Sequence, residues 1–315
     1  MINSSRYPIL VSGGSGHLGQ LVLQELLSAR KVPGRCIIAT TRTPEKLAMF
    51  AKQGVEVRFA DFDQRESLIK AFSGAKRALM ISTGAVYPRG IRAAHQKAAI
   101  EAMAETPSVE HILMIAAGSP TPDPCFWEGD HYQTELVAKA TGKPWTILRD
   151  HEYFDFHAQY DWPHWLAAGE WYTASGLGRA AFVARADCAR AAAAALDSDS
   201  TASKCYEISD GEVYSAADIV QVLCEETGAS VKIHQVTTEE LKQHLVSWGT
   251  PPVLASALAF FQESTKAGNK DCSSNAFREL TGQEPVKLRQ FVKENKAAIL
   301  EAMARPIPLP DNMLD

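Results

Sequence analysis

Residues 10 to 26 read LVSGGSGHLGQLVLQEL, with glycines at 13, 16 and 19 between an apolar run and a helical pattern. A loop of this kind exposes free backbone N–H groups at the positive end of a helix dipole, where a phosphate can sit if no side chain intervenes. Gly13 permits the tight turn, Gly16 lets a pyrophosphate approach, and Gly19 lets the helix pack against the strand. Ser15 adds a hydroxyl donor, and His17 and Leu18 fall at the helix start. Glycines also mark ordinary turns. Here the triplet follows a strand pattern and opens a series of strand–helix units, so the expected ligand is the pyrophosphate of a dinucleotide.

The second apolar run ends in Thr40, Thr41 and Arg42, with no carboxylate before Glu45. An acid at this place suits a ribose 2′-hydroxyl, and an arginine suits a 2′-phosphate. NADP(H) is therefore expected over NAD(H), although Arg42 also fits a solvated loop. Asp61 and Phe62 end the third run where an adenine would lie, and either also fits a helix cap. Ser82, Thr83 and Gly84 end the fourth and suit either the pyrophosphate–ribose path or a plain turn.

These positions need a scaffold. Apolar runs YPILVSG, RCIIATT, VEVRFAD, RALMIST, EHILMIAA and PWTILRD have strand length. Helical patterns at 17–29, 44–53, 64–73, 89–105 and 130–141 lie between them. The alternation predicts an α/β fold, a Rossmann-like doubly wound parallel sheet covered on both faces. Residues 1–150 are read as the dinucleotide-binding domain, 151–304 as a smaller C-terminal substrate lobe interleaved with the sheet edge, and 305–315 as an extended Pro-rich tail. Segment 151–182 is rich in aromatics and glycine and is expected to form long loops. Helices are expected at 185–198, near 215–228, and around 238–246, 251–266, 273–281 and 287–303, with short strands at KCYEIS and VKIHQV.

Composition narrows the classes. The 315 residues carry a net charge of −5 and are 46% hydrophobic, enough for a large core and without the clustered basic face of a nucleic-acid binder. No apolar stretch reaches membrane-span length, and the start lacks a signal-peptide pattern, so a cytoplasmic location is expected. Six scattered cysteines form no CxxC pair and the nine histidines no HExxH, so neither a disulfide framework nor a metal motif is read.

The segments GGSGHLG, TTRTPEKL, GVEVRFADFDQRESLIKAFSG and HYQTELVAKATGKPWTILRDHEYF together resemble the NmrA-like atypical short-chain dehydrogenase/reductases. TTEELKQHL and FRELTGQEPVKLRQFVKEN are especially similar to the quinone oxidoreductase type 2 and triphenylmethane-reductase branch, and the likeness runs from about Tyr7 to Asn295. The resemblance implies that Gly13, Ser15, Gly16, His17 and Leu18 bind pyrophosphate and Arg42 the 2′-phosphate. It further implies Asp61 and Phe62 at the adenine, Ser82 and Thr83 along the ribose, and Tyr153 with Phe154 near the nicotinamide.

The usual mechanism of the wider superfamily needs a tyrosine acid and a lysine four residues on. This chain has His131 and Glu135 there, and Tyr132 is out of phase by about 100°. Alcohol and ketone chemistry is thereby disfavoured, whereas a quinone asks mainly for positioning over the nicotinamide. His131 is the candidate to hydrogen-bond or protonate the acceptor oxygen, with His151 and Tyr153 as comparable candidates. The aromatic segment suits a flat acceptor and equally suits core packing. The expected function is NADP(H)-dependent hydride transfer to a quinone or similar planar conjugated acceptor, with a homodimer compatible; the alternative is an NAD(P)-sensing regulator of the NmrA type without turnover.

Overall fold

A computed structural model describes residues 6–85, 88–122 and 127–304; Cys125 and the Pro-rich tail lie outside them. All six expected strands form: β1 (Ile9–Ser12), β2 (Ile37–Thr41), β3 (Glu56–Phe59), β4 (Arg77–Met80), β5 (His111–Ala117) and β6 (Trp145–Asp150). A later strand, β10 (Lys204–Ile208), joins them, and the order across the sheet is β10-β6-β5-β4-β1-β2-β3. Every pairing in it is parallel. Continuous apolar strands demand cover on both faces, and both are covered. Helices α1 (His17–Ser28) and α8 (Arg185–Leu196), with Phe277, share one core against Ile9, Val11, Leu113 and Leu148. On the other face α3 (Arg65–Phe72), α4 (Ile91–Glu105) and α5 (Trp127–Ala140) meet Leu10, Ala78, Met114 and Ile147. The strand order reverses between β1 and β4, and the crevice outside their carboxyl ends is where such sheets bind ligands.

Two expectations need correction. The 44–53 helix is a tight 3-10 turn at Pro44–Leu47 followed by the one-turn α2 (Ala48–Ala51). Segment 151–182 is not long loop: it forms β7 (Glu152–Tyr153), α6 (Phe154–Gln159), α7 (Asp161–Ala168), β8 (Glu170–Thr173) and β9 (Arg179–Val183). Its aromatics supply the reason, because they pack on one another. Trp165 stacks on Trp171 at 3.8 Å, and Phe154 stacks on Phe182 at 5.5 Å.

The remaining elements are β11 (Val213–Ser215), α9 (Ala216–Thr227), β12 (Lys232–Gln235), α10 (Thr238–Ser247), α11 (Pro252–Lys266), α12 (Ala276–Thr281) and α13 (Leu288–Ala302). They close with the 151–182 elements around a lobe core that includes Phe154, Trp162, Leu223 and Phe291. The chain then crosses back: β10 and α12 return to the main sheet. No helix among the described residues is long and apolar enough to cross a membrane.

Candidate functional site

The glycine loop has the shape its sequence demands. Gly13 takes φ 77°, and a Cβ on Gly19 would lie 2.3 Å from the Gly13 carbonyl oxygen, so α1 can seat against the loop only without one. Gly16 is the N-cap of α1, with no side chain capping the helix and no acid in its first turn. The first-turn N–H groups therefore face outward beside an exposed Gly16 and His17, while Leu18 is buried as core. An anion fits this end of the helix and finds no competing carboxylate in the first turn.

Ser15 Oγ lies 2.6 Å from Thr41 Oγ1, which also accepts from the Thr43 N–H at 3.0 Å. These bonds fix the loop to the end of β2. Arg42 follows directly and is exposed, with no ion pair among the described residues. Its guanidinium is free to meet a phosphate. The loop geometry and this cation fit a dinucleotide carrying a 2′-phosphate.

Other expected contacts are part-committed to local structure. Asp61 accepts from the Asp63 N–H and the Gln64 side-chain amide, closing the turn before α3. Phe62 is half-buried with its ring 5.9 Å from His95. Ser82 donates to the Ile115 carbonyl at 2.8 Å, and Thr83 Oγ1 accepts from the Ala85 N–H. All four nevertheless stand at the carboxyl edge of the sheet, with Ile81 touching the space beside Gly13.

At the other half of that edge, β5 ends in Ala116 and Ala117, and Gly118 follows. A Cβ on Gly118 would lie 2.6 Å from His151 Nδ1, so the glycine makes room for the imidazole. His151 Nε2 lies 3.0 Å from Glu207 Oε2, and Arg149 holds the other oxygen of that carboxylate at 2.8 Å. The fold thus brings His151, Glu207 and Cys272 within 4.8 Å, a grouping no sequence spacing announced; the carboxylate is already shared by two cationic or hydrogen-bonding partners. Tyr153 is half-buried and donates to Asp150 Oδ2 at 2.8 Å. Burial pushes the Asp150 carboxyl up to about 7 against the smaller opposing effect of that bond. Phe154, expected near the nicotinamide, has 0% exposure in the lobe core. It sits at the start of α6, where its side chain turns inward between Phe182 and Phe291, and a substrate contact is replaced by packing.

The helix α5 carries the decisive departures. His131 is buried, and desolvation, then Arg92 and Lys270, hold its imidazole well below its ordinary range. It is neutral at pH 7 and can offer a hydrogen bond, but it is not a ready imidazolium acid. Glu135 is buried and fully engaged: both oxygens meet Arg149 at 2.7 Å, and Lys139 adds a third contact at 2.8 Å. Those bonds in turn raise the Arg149 guanidinium above its ordinary range. The superfamily's lysine position is here part of an ion-pair network.

Sequence reading missed two groups beside His131. Glu128, one turn back on α5, is 2% exposed and pairs at 3.0 Å with Lys270, which is 4% exposed and comes from the lobe loop after α11. The two lie 142 residues apart, so no local pattern could have joined them. Arg92, at the start of α4, completes the group electrostatically.

Sheet, switch point and phosphate loop define a dinucleotide-binding protein of the Rossmann class. The family model described as NAD(P)H-binding matches residues 13–199, and the chain belongs to that family. The chain is 28% identical over 284 residues to quinone oxidoreductase 2 of Escherichia coli, covering 90% of this chain and 97% of that protein. A structure of that enzyme with NADPH superposes with a TM-score of 0.82 at 27% identity, covering 91% of this chain and 99% of the other. Triphenylmethane reductase of Citrobacter sp., solved with NADP(H), gives a TM-score of 0.80 at 31% identity over 91% and 99% of the two chains. The NAD(P)H azoreductase of Xenophilus azovorans is 24% identical, covering 92% of this chain and 98% of its own. The expected NmrA-like likeness holds, and the chain is an NAD(P)H-dependent oxidoreductase.

Proposed function

We propose that this chain reduces a quinone or similarly planar, conjugated acceptor with NADPH as its preferred donor. The observation that carries the reading is the α5 face, where His131 is neutral and Glu135 is consumed by Arg149 and Lys139. No tyrosine–lysine pair activates a simple carbonyl there. An electron-poor ring needs less help, because the charge it gains is delocalised and orientation supplies much of the rate. The names of the relatives, a quinone oxidoreductase, an azoreductase and a triphenylmethane reductase, all point to extended conjugated acceptors.

When bound, the reduced nicotinamide supplies the hydride. The open first turn of α1 and the glycine loop hold the pyrophosphate, and Arg42 pairs with the 2′-phosphate. The neutral His131 imidazole donates a hydrogen bond toward the acceptor oxygen without the cost of burying another cation.

The reading is tested by steady-state oxidation of NADPH and of NADH with a naphthoquinone, in wild type and Arg42→Ala. Acceptor-dependent oxidation favouring NADPH is expected, and the variant narrows the NADPH-over-NADH ratio by about tenfold or more, the size of a charged hydrogen bond. Equal use of both donors by the wild type, unchanged in the variant, contradicts the assignment of Arg42.

A further inference from the structure

Most buried carboxylates among the described residues spend both oxygens, Asp150 with its unpartnered Oδ1 being an exception. Asp187 pairs one with Arg190 and accepts the Val286 N–H at the other, and Glu135 uses both on Arg149. Glu128 does not. Its Oε1 meets Lys270, whereas the buried Oε2 has no hydrogen-bond partner among the described residues. His131 Nδ1 and Arg92 Nε, both buried, are in the same condition. Each such orphan costs stability unless water or a ligand meets it, and here three fall beside one buried ammonium.

The three orphans and the Lys270 ammonium share one location. Helices α4 and α5 start from the carboxyl ends of β4 and β5, and Glu128 and His131 lie on one face of α5 at i and i+3. Lys270 reaches that face from the lobe. Its backbone carbonyl accepts from the Ala181 N–H at 3.0 Å, and its Nζ stands 5.1 Å over the Phe261 ring. These groups lie together where the sheet's helix α5 meets the lobe.

We propose that Lys270, Glu128, Arg92 and His131 form a polar subsite for the acceptor, built for an aromatic carbonyl compound that carries a hydroxyl beside its carbonyl. The inference rests on the reading of the chain as a reductase of planar acceptors. Lys270 and Arg92 are donors suited to the carbonyl oxygen, and Glu128 Oε2 is an acceptor suited to the neighbouring hydroxyl. During reduction the hydride brings two electrons and one hydrogen nucleus to the ring system. The negative charge then appearing on the carbonyl oxygen is met by the Lys270 ammonium, and solvent delivers the second hydrogen as a proton. A plain apolar quinone would leave Glu128 Oε2 unpaired and bind less well.

The test is equilibrium binding of juglone and of its O-methyl ether to the full chain loaded with NADP+, which cannot give hydride, followed by tryptophan fluorescence. The two probes share the ring system and differ at the oxygen beside the carbonyl, which bears hydrogen in juglone and a methyl group in the ether; loss of the preference in the variants separates the donor effect from the added bulk. Juglone is expected to bind about tenfold tighter, one hydrogen bond's worth. In Glu128→Leu/Lys270→Met, which removes the pair without stranding a charge, the ratio is expected to fall to about one. If that variant fails to melt cooperatively, Glu128→Gln keeps the Lys270 bond, offers an N–H in place of the free oxygen, and is expected to leave at most about a twofold preference. Equal binding of the two probes by wild type, with quinone turnover intact, overturns the subsite alone, as does a preference that survives both variants. Binding of neither probe overturns the subsite and the reductase reading together.

Discussion

Asp150 and two histidines give the protein opposing responses to pH. His131 is held well below its ordinary range and His111 is pushed down to about 3, in each case by burial first, with Arg77 adding to the effect on His111. In the unfolded chain such imidazoles take a proton below their ordinary value of 6.5. Their contribution to stability is complete above that pH and is lost as pH falls, at about 1.4 kcal/mol per unit for His111 until its folded value is reached. Asp150 acts with the other sign, because burial raises it from 3.8 to about 7. Its contribution is complete below the lower value and is lost as pH rises through the higher one. Asp150→Asn keeps an acceptor for the Tyr153 hydroxyl and removes the ionisation. Thermal melts are expected to show it more stable than wild type by about 1 kcal/mol or more near about pH 8, and not near about pH 4. A difference of the same size at both ends would contradict the buried, raised carboxyl. The single residues most readable in the sequence were those with one local job, such as Gly13 and Gly19. Phe154 was misread because it adjoins Tyr153 in sequence, yet the start of α6 turns it into the core.

At the scale of elements, α5 is tied to β6 and β10 by Glu135, Arg149, Lys139 and Glu207. This explains why the superfamily's tyrosine–lysine pair cannot simply be grafted back. His131→Tyr/Glu135→Lys is expected to gain no alcohol or ketone activity. It is expected to lose about 3–5 kcal/mol in a denaturant melt, since Arg149 loses its carboxylate and meets a like charge. Stability within about 1 kcal/mol of wild type would show the network to be ornamental. The strands β1 to β6 were legible because each is a short continuous apolar run with a clear boundary. The elements of 151–182 were not, because their stability comes from ring-on-ring contacts between Trp165, Trp171, Phe154 and Phe182 rather than from local periodicity. Lys270 and Glu128 were illegible for a related reason: only the returning loop of the lobe brings them together.

The whole molecule shares its cores across the expected boundary at residue 150. Cys188, Ala191, Leu196, Ile208 and Phe277 belong to the same buried cluster as Ile9, Val22 and Leu113. A chain ending at 150 would keep α1 but lose α8, Ile208 and Phe277 from that face of the sheet, and it is expected to show no cooperative melt by circular dichroism, whereas the full chain melts as one unit. A sharp transition in the fragment would contradict this shared core. The same interleaving places the lobe's Lys270 on the sheet's α5, so the proposed acceptor subsite draws on both parts of the chain. The central claim, that this assembly passes hydride from NADPH to a planar conjugated acceptor, is tested most directly by anaerobic turnover of the purified chain with a naphthoquinone. Loss of NADPH absorbance with one hydroquinone formed for each NADPH consumed is the predicted result. NADPH that binds tightly but is oxidised by no quinone, azo dye or triphenylmethane dye would contradict it.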